Sequence, residues 1–376
     1  MSVPGLFDRN GLVKGTDFLH FYTLGSLAAE QRGDLLYDMH GQNEFLSQIR
    51  PEVRNYVYVP LYGPQVSVLF SPLAHFGYLQ ALTIWLATNC CLYLLCCYAV
   101  WRCCPQLIRF RWTITFAALA FPGFFHLIVW GQSSGLALLC FVLAYLALRT
   151  KHDLLAGLAI GSLIFKPQLG IAAAVTFLAI KKWKLISGAI LAVAIQLAVG
   201  WLYFGRSVMK NYWHALVNIP HVLRFLEPRP YQTHSLRSFF SMLLPIPTPA
   251  LVMYALASIA VLYLLVRVWQ QHPSLDVQYS ALLVATVLVS PHLTVYDLVI
   301  LAPAFLLLSN EVLNKDFANA TATKYLLYLL FPLFLAGPLA RITHLQLSVL
   351  AMAALLWMCC SYVQEPANGM MTFTKT

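Results

Sequence analysis

Apolar residues in this chain do not alternate with polar ones at the period of a strand or of a half-buried surface helix. From about Phe76 onward they run together in long blocks separated by short polar breaks. A helix that is hydrophobic all round is buried in a core or in lipid. A membrane helix needs about 20 such residues when straight, and fewer when it is one of a pair of broken helices inside a bundle. The blocks predict segments at 78–101, 112–128, 134–148, 154–166, 168–180, 185–204, 250–268, 275–290, 297–309, 324–340 and 345–361. The expected fold class is therefore all-α, a polytopic transmembrane bundle of about 11 segments with short broken helices and juxtamembrane helices on one face. No linker or low-complexity tract divides it, so one integral-membrane domain is expected over 1–376, with large polar stretches at 1–77 and 205–249.

Composition agrees with the pattern: 60% of the residues are hydrophobic and 10% charged, where a soluble domain carries about 25% charged residues. The formal net charge of +10 would suit nucleic acid if the cations were gathered on one segment, but they punctuate the apolar blocks. Arg102, Arg109 and Arg111, then Arg149 and Lys151, then Lys181, Lys182 and Lys184 sit in short breaks, as in cytoplasmic loops under the positive-inside rule. No nucleic-acid partner is expected; membrane lipid is. The alternation that follows places 1–77, the turn at Trp130–Gln132, the Lys166–Pro167 turn, 205–249 and the stretch 290–298 on the outer face of the cell inner (plasma) membrane, with the C-terminus cytoplasmic. The nine cysteines include the adjacent pairs Cys90–Cys91, Cys96–Cys97, Cys103–Cys104 and Cys359–Cys360. They lack CxxC spacing and accompanying histidines, so they read as apolar packing, and neither a metal site nor disulfides are expected.

The N-terminus fits this topology poorly, because Asp17 to Asp38 should lie outside, yet only Val3 to Phe7 is apolar before them. A native start upstream of Met1, with a first helix lost, is the favoured reading; a short tail translocated without one is the other.

Polar residues that interrupt apolar blocks are the candidates for chemistry, since an ionisable group at membrane depth costs roughly 2.5 to 3.5 kcal/mol and normally faces a bundle interior or a wet cavity. The most conspicuous stretch is Ser290, Pro291, His292, Leu293, Thr294, Val295, Tyr296, Asp297. If helical after Pro291, it sets His292 and Tyr296 on one face with Asp297 rotated away, and Asp297 reads as a supporting group that orients Tyr296 or the local backbone. Lys166 lies in a Phe-Lys-Pro-Gln break between two runs too short to be separate full spans; it is either a partner for an anion or a snorkelling side chain. Asp17 opens a short surface helix, as a reactive carboxylate or as a cap. Gln132 belongs to a tight turn, Trp-Gly-Gln-Ser-Ser-Gly, and Arg237 to the most polar part of 205–249, where its planar fork suits a phosphate.

The ordered set Thr16, Asp17, Phe18 with Tyr22 and Gly33; Tyr58 and Pro60; Trp130, Gly131, Gln132; Lys166, Pro167; and Ser290, Pro291, His292 with Tyr296 and Asp297 resembles glycosyltransferase family 87 over about Thr16 to Pro303. The resemblance implies a GT-C type membrane hexosyltransferase, one that moves a sugar, typically mannose, from a polyprenyl-phosphate donor to a lipid or glycan acceptor at the outer face. It implies that Asp17 is the general base, and His292 falls on the histidine of the family's Pro-His motif. Two departures stand out: a membrane helix normally precedes the acidic loop, and Leu61 follows Pro60 where a second proline is common.

The chemistry is consistent in itself. A carboxylate deprotonates the acceptor and cations receive the departing phosphate, so Asp17 is expected to take the proton and Lys166, Arg237 and His292 to hold the phosphate or orient the sugar. Attack opposite the leaving group inverts the anomeric centre. No Walker loop, Rossmann fingerprint or HExxH motif is present, and no cofactor or metal is expected. The alternative reading is a polytopic transporter or lipid flippase, in which broken helices and charges line a path near the midplane.

Overall fold

A computed structural model describes residues 4–53, 56–219, 221, 229–271, 273–314 and 319–361. The expected cytoplasmic C-terminus, the first residues of the chain and part of the 205–249 stretch (220 and 222–228) lie outside the described residues. Among those described, every apolar block is helical and no strand is formed beyond one isolated bridge between Phe7 and Val13.

In chain order the α-helices are α1 (Thr16–Ala29), α2 (Met39–Ile49), α3 (Pro64–Phe70), α4 (Tyr78–Trp101), α5 (Arg111–Leu119), α6 (Pro122–Trp130), α7 (Ser134–Arg149), α8 (Asp153–Gly161) and α9 (Ile171–Ala179). They continue as α10 (Trp183–Phe204), α11 (Arg206–Val217), α12 (Leu236–Leu243), α13 (Pro247–Gln270), α14 (Leu275–Val289), α15 (Ala302–Val312), α16 (Ala320–Leu333), α17 (Gly337–Thr343) and α18 (Leu347–Ser361). Four helical stretches are long and apolar enough to cross a membrane: α4, α10, α13 and Val295–Val312. The number is up to six if each of two bent pairs is one span, α5 with its preceding turn and α6 at 43°, and α16 with α17 at 85°. Of the about 11 expected segments, length and composition thus make four to six full crossings among the described residues. The remaining apolar helices, α7, Asp153–Phe165, Pro167–Ala179, α14 and α18, fall short of a full span. The block read as continuous over 112–128 is broken at Ala120–Phe121, because Pro122 starts a new helix at its first position.

The bundle is organised around α14, in which every residue from Asp276 to Val289 is buried. This is the behaviour expected of a helix that is apolar on all faces. Its first turn is fastened at one end of the bundle, where Tyr145 Oη donates to Asp276 Oδ1 at 2.7 Å and Arg149 sits 3.3 Å from the same oxygen. Lys182 and Asp153 pair nearby in the chain at 3.1 Å. Its last residue delivers the chain, through Ser290 and Pro291, to the opposite end, and all the polar residues singled out above as candidates lie there.

A second packing device joins α8 to α10. Gly157 and Gly161 lie four apart on α8, and Gly188 faces them from α10; a Cβ on any of the three would collide with backbone of the partner helix, at Leu185, Ala189 and Leu154 respectively. Small residues at this spacing let helix backbones approach closely where apolar burial alone gives no preference among neighbours. Gly161→Val is expected to force α8 from α10 and to cost about 1–3 kcal/mol of overpacking or more. Thermal denaturation of the detergent-solubilised protein checks this, with Leu155→Val, at an exposed position of the same helix, as the near-neutral control.

Candidate functional site

The site is assembled where three interruptions of the helical bundle meet. The first is the turn between α6 and α7. Gly131 takes a left-handed φ of +65°, a Cβ there would lie 2.8 Å from Phe18 Cβ, and its carbonyl accepts from Trp85 Nε1 at 2.8 Å. The turn presents Gln132, whose side-chain orientation follows from its partners. Oε1 accepts from the Ser133 backbone N–H at 2.7 Å and from Ser133 Oγ at 3.0 Å, which leaves Nε2 to donate to Asp17 Oδ2 at 3.0 Å. Tyr62 Oη reaches the same Oε1 at 3.5 Å.

Asp17 stands in the first turn of α1, but it does not cap that helix: Gly15 is the N-cap residue, with no side-chain cap bond. An aromatic cluster fixes its position. Phe18, Phe21, Phe70, Tyr78 and Trp85 bury one face of α1 against α3 and α4, with Phe21 stacked on Phe70 at 4.7 Å. Tyr78 Oη donates to the Lys14 carbonyl at 2.7 Å and Tyr58 Oη to the Thr16 carbonyl at 2.5 Å. The residue is half-buried, and loss of water around its carboxyl is the dominant influence on it. That desolvation raises its pKa to about 6 against the opposing pull of Lys166 and the bonds from Gln132 and Tyr296.

The second interruption is the Lys166–Pro167 break between Asp153–Phe165 and Pro167–Ala179, and the third is the Ser290–Thr294 segment. They are joined by a buried ion pair, Lys166 Nζ to Asp297 Oδ1 at 2.7 Å, with side-chain exposures of 4% and 3%. Ser134 Oγ completes a triangle, donating to Asp297 Oδ1 at 2.6 Å and accepting from Lys166 Nζ at 3.0 Å. Asp297 Oδ2 accepts from the Thr294 backbone N–H at 3.3 Å, and the Tyr296 ring faces the ammonium with 5.1 Å between Nζ and its centroid. Asp297 is thus not rotated away: residues 291–294 are not helical, and the tight helical turn begins only at Val295. The expectation that His292 and Tyr296 share a helical face fails for the same reason.

Arg237, on α12, lies beside this segment, its Nη1 donating to the Pro291 carbonyl at 2.6 Å, and the His292 carbonyl accepts from Ser290 Oγ at 2.8 Å. Asp17, Gln132, Lys166, Tyr296 and Asp297 are therefore brought into one network, and Arg237 and His292 are placed at its border through the 290–292 backbone. Ser134 and Tyr62 were missed in the sequence. Ser134 was in view as part of the Gln132 turn, but nothing in that turn pointed to a carboxylate 163 positions away. Among the described residues no three His, Cys, Asp or Glu side chains converge in a way that would hold a metal.

Comparison with protein families finds a match to the model of glycosyltransferase family 87 over residues 61–291, more than half of the chain. The chain belongs to glycosyltransferase family 87. No curated protein and no solved structure matches it. The matched stretch carries Gln132, Ser134, Lys166 and Arg237; it begins after Asp17 and stops one residue before His292. Family membership makes the chain a glycosyltransferase with membrane-type helices, acting on a sugar donor and an acceptor.

The burial of the ion pair gives a stability test independent of activity. Removing one partner strands a charge and costs about 3–5 kcal/mol, whereas replacing both by apolar side chains is often neutral. Lys166→Met is expected to lower the melting temperature sharply, and Lys166→Met combined with Asp297→Leu to recover most of the loss. A double-mutant cycle on thermal denaturation measures the coupling.

Proposed function

We propose that the chain transfers a sugar, mannose in the first instance, from a polyprenyl-phosphate donor to a hydroxyl of a lipid or glycan acceptor at the outer face of the plasma membrane, with inversion. Asp17 takes the acceptor proton as the new C1–O bond forms and the C1–O bond to phosphate breaks; the polyprenyl phosphate leaves with the electron pair. The observation that supports this most is a carboxyl held by Gln132, raised to about 6 by burial, in a chain of a glycosyltransferase family. An efficient base has a pKa close to the working pH.

The remaining roles are shared out by charge. The Lys166 ammonium has three donors, two of them engaged by Ser134 and Asp297, so its charge is largely balanced before a substrate arrives. Lys166 therefore acts chiefly as a positioned donor to the sugar or phosphate, and Arg237 and His292 at the border of the network receive the negative charge that develops on the leaving group. Gln132 orients Asp17, while Tyr296 and Asp297 hold Lys166 in place. The transporter reading draws no support from the family comparison.

Two measurements test the base. Asp17→Asn keeps the shape and the contact with Gln132 but cannot accept a proton, so transfer from a labelled polyprenyl-phosphate sugar is expected to fall by about 10²–10⁴-fold. The melting temperature near neutral pH should hold or rise. The sign follows from linkage: an Asp whose folded pKa is raised above the unfolded value stabilises the protein while protonated, and that contribution fades as pH rises through about 6. A variant that is always neutral escapes this loss. In the wild-type enzyme kcat/KM is expected to rise with pH through about 6 and then level off; a profile flat between about pH 5 and 8 would remove Asp17 as the base.

A further inference from the structure

Helix α5 is poorly integrated into the bundle. None of its nine residues is buried, and Trp112 and Phe116 are 66% and 67% exposed. A cavity of about 630 Å³ lies between it and α15 and α16, so that even Thr113 and Ala117, which line this cavity, are exposed. Van der Waals contact is what holds membrane helices to one another, and across this gap α5 lacks it.

The cavity has a direction. One end lies by the start of α14, remote from the Asp17–Lys166 network: Glu311 Oε1 accepts from Ser274 Oγ at 2.7 Å, and Asn310 Oδ1 from the Gln106 backbone N–H at 3.0 Å. Ser309, Thr321 and Lys324 line this end. At the other end stand aromatic rings, with Phe121 edge-on to Phe305 at 5.5 Å and to Phe331 at 5.6 Å. Past these rings α6 presses on the 295–301 turn, where a Cβ on Gly123 would lie 2.6 Å from the Val299 nitrogen. The wall formed by 302–313 is roughly 17 Å long at about 1.5 Å per residue, about half of a hydrocarbon core of ~30 Å. The cavity thus has the depth of one leaflet.

Cations flank the polar end from two sides. Lys324 Nζ lies 5.8 Å from the centre of the Tyr328 ring and the Arg109 guanidinium 4.8 Å from that of Phe110, and both rings line the cavity. The acidic side chains described at this end of the bundle are engaged elsewhere: Asp276 by Arg149 and Tyr145, Asp153 by Lys182, and Glu311 by Ser274 and Asn314. The fitting occupant is apolar over one leaflet's depth and negative at its outer end. A zwitterionic head group would bring a further cation to the two already there.

We infer that this cavity binds an anionic phospholipid of the leaflet remote from the Asp17–Lys166 network. One acyl chain runs between α5, α15 and α16 down to Phe121, and the phosphate sits between Arg109 and Lys324. Basic pockets between membrane helices suit such head groups. The lipid gives α5 the contacts that the bundle does not. It is neither donor nor acceptor of the proposed transfer, and the inference does not depend on that reading.

Photolabelling of the unmodified protein in detergent micelles tests this. The probe is phosphatidylglycerol with a diazirine at the end of one acyl chain. Labels around Phe121, Phe305 and Phe331 are expected, suppressed by excess phosphatidylglycerol and far less by phosphatidylcholine. Absence of labels there overturns the seat, and equal suppression by phosphatidylcholine overturns its preference for an anion. Suppression by soluble glycerol 3-phosphate as strong as by phosphatidylglycerol makes this a site for free phosphate and overturns the lipid. Arg109→Gln and Lys324→Gln, both at exposed positions, should each raise the Kd for phosphatidylglycerol about fivefold; an unchanged Kd in either removes that cation from the site. Hydrogen exchange of the α5 amides should slow when phosphatidylglycerol is added, and exchange that stays the same overturns the packing role.

Discussion

The buried pair of Lys166 and Asp297 is the constraint around which the rest of this end of the molecule is arranged. Neither charge can be left alone in an apolar bundle, and their attraction offsets desolvation only where further hydrogen bonds occupy the remaining donors and lone pairs. Ser134 and the Thr294 backbone supply those bonds. Each of these groups stands at a place where a helix stops or starts: the break before Pro167, the first residue of α7, and the non-helical stretch after α14. Irregular backbone is tolerated inside a bundle when it is enclosed by protein or lines a cavity. The ion pair makes the three irregularities mutually dependent, joining positions 131 apart in the chain.

That arrangement also governs Asp17. A lone ammonium beside a carboxyl would pull its pKa down. Here desolvation outweighs the pull of Lys166, and Asp297 adds a smaller push in the same direction as desolvation. Burial thus raises the acid to about 6 beside an ion pair that offers it a network of fixed dipoles. The aromatic cluster under α1 matters for the same reason: it keeps water away from one side of the carboxyl and holds the helix start against the Gln132 turn.

How much of this could be read along the chain depends on the range of the interaction. The α4 block at 78–101 coincides with its helix, and the break at Lys166 follows from Pro167, because both are local consequences of hydrophobic run length and of the missing proline N–H. The break at Phe121 was equally local, signalled by Pro122, but was overridden by the unbroken hydrophobicity around it. The role of Asp297 was out of reach. Its partner is distant in sequence, and the carboxylate would be turned away only if residues 291–294 were helical, whereas the helical turn starts at Val295.

The two ends of the bundle differ in a way that bears on what the molecule can do. At one end Arg149, Tyr145 and Asp276 fasten α14, and beyond the other Asp297, Lys166 and Ser134 fasten the segment that follows it. Between them, from Ala281 to Val289, Thr286 is the single polar residue of α14. A carrier that moves a polar head group through the bundle needs polar surroundings spread along that path, near the midplane, whereas here these clusters lie at the two ends of α14. The Asp17–Lys166 network at one of those ends suits a reaction carried out there, with the apolar middle of the bundle closed around α14.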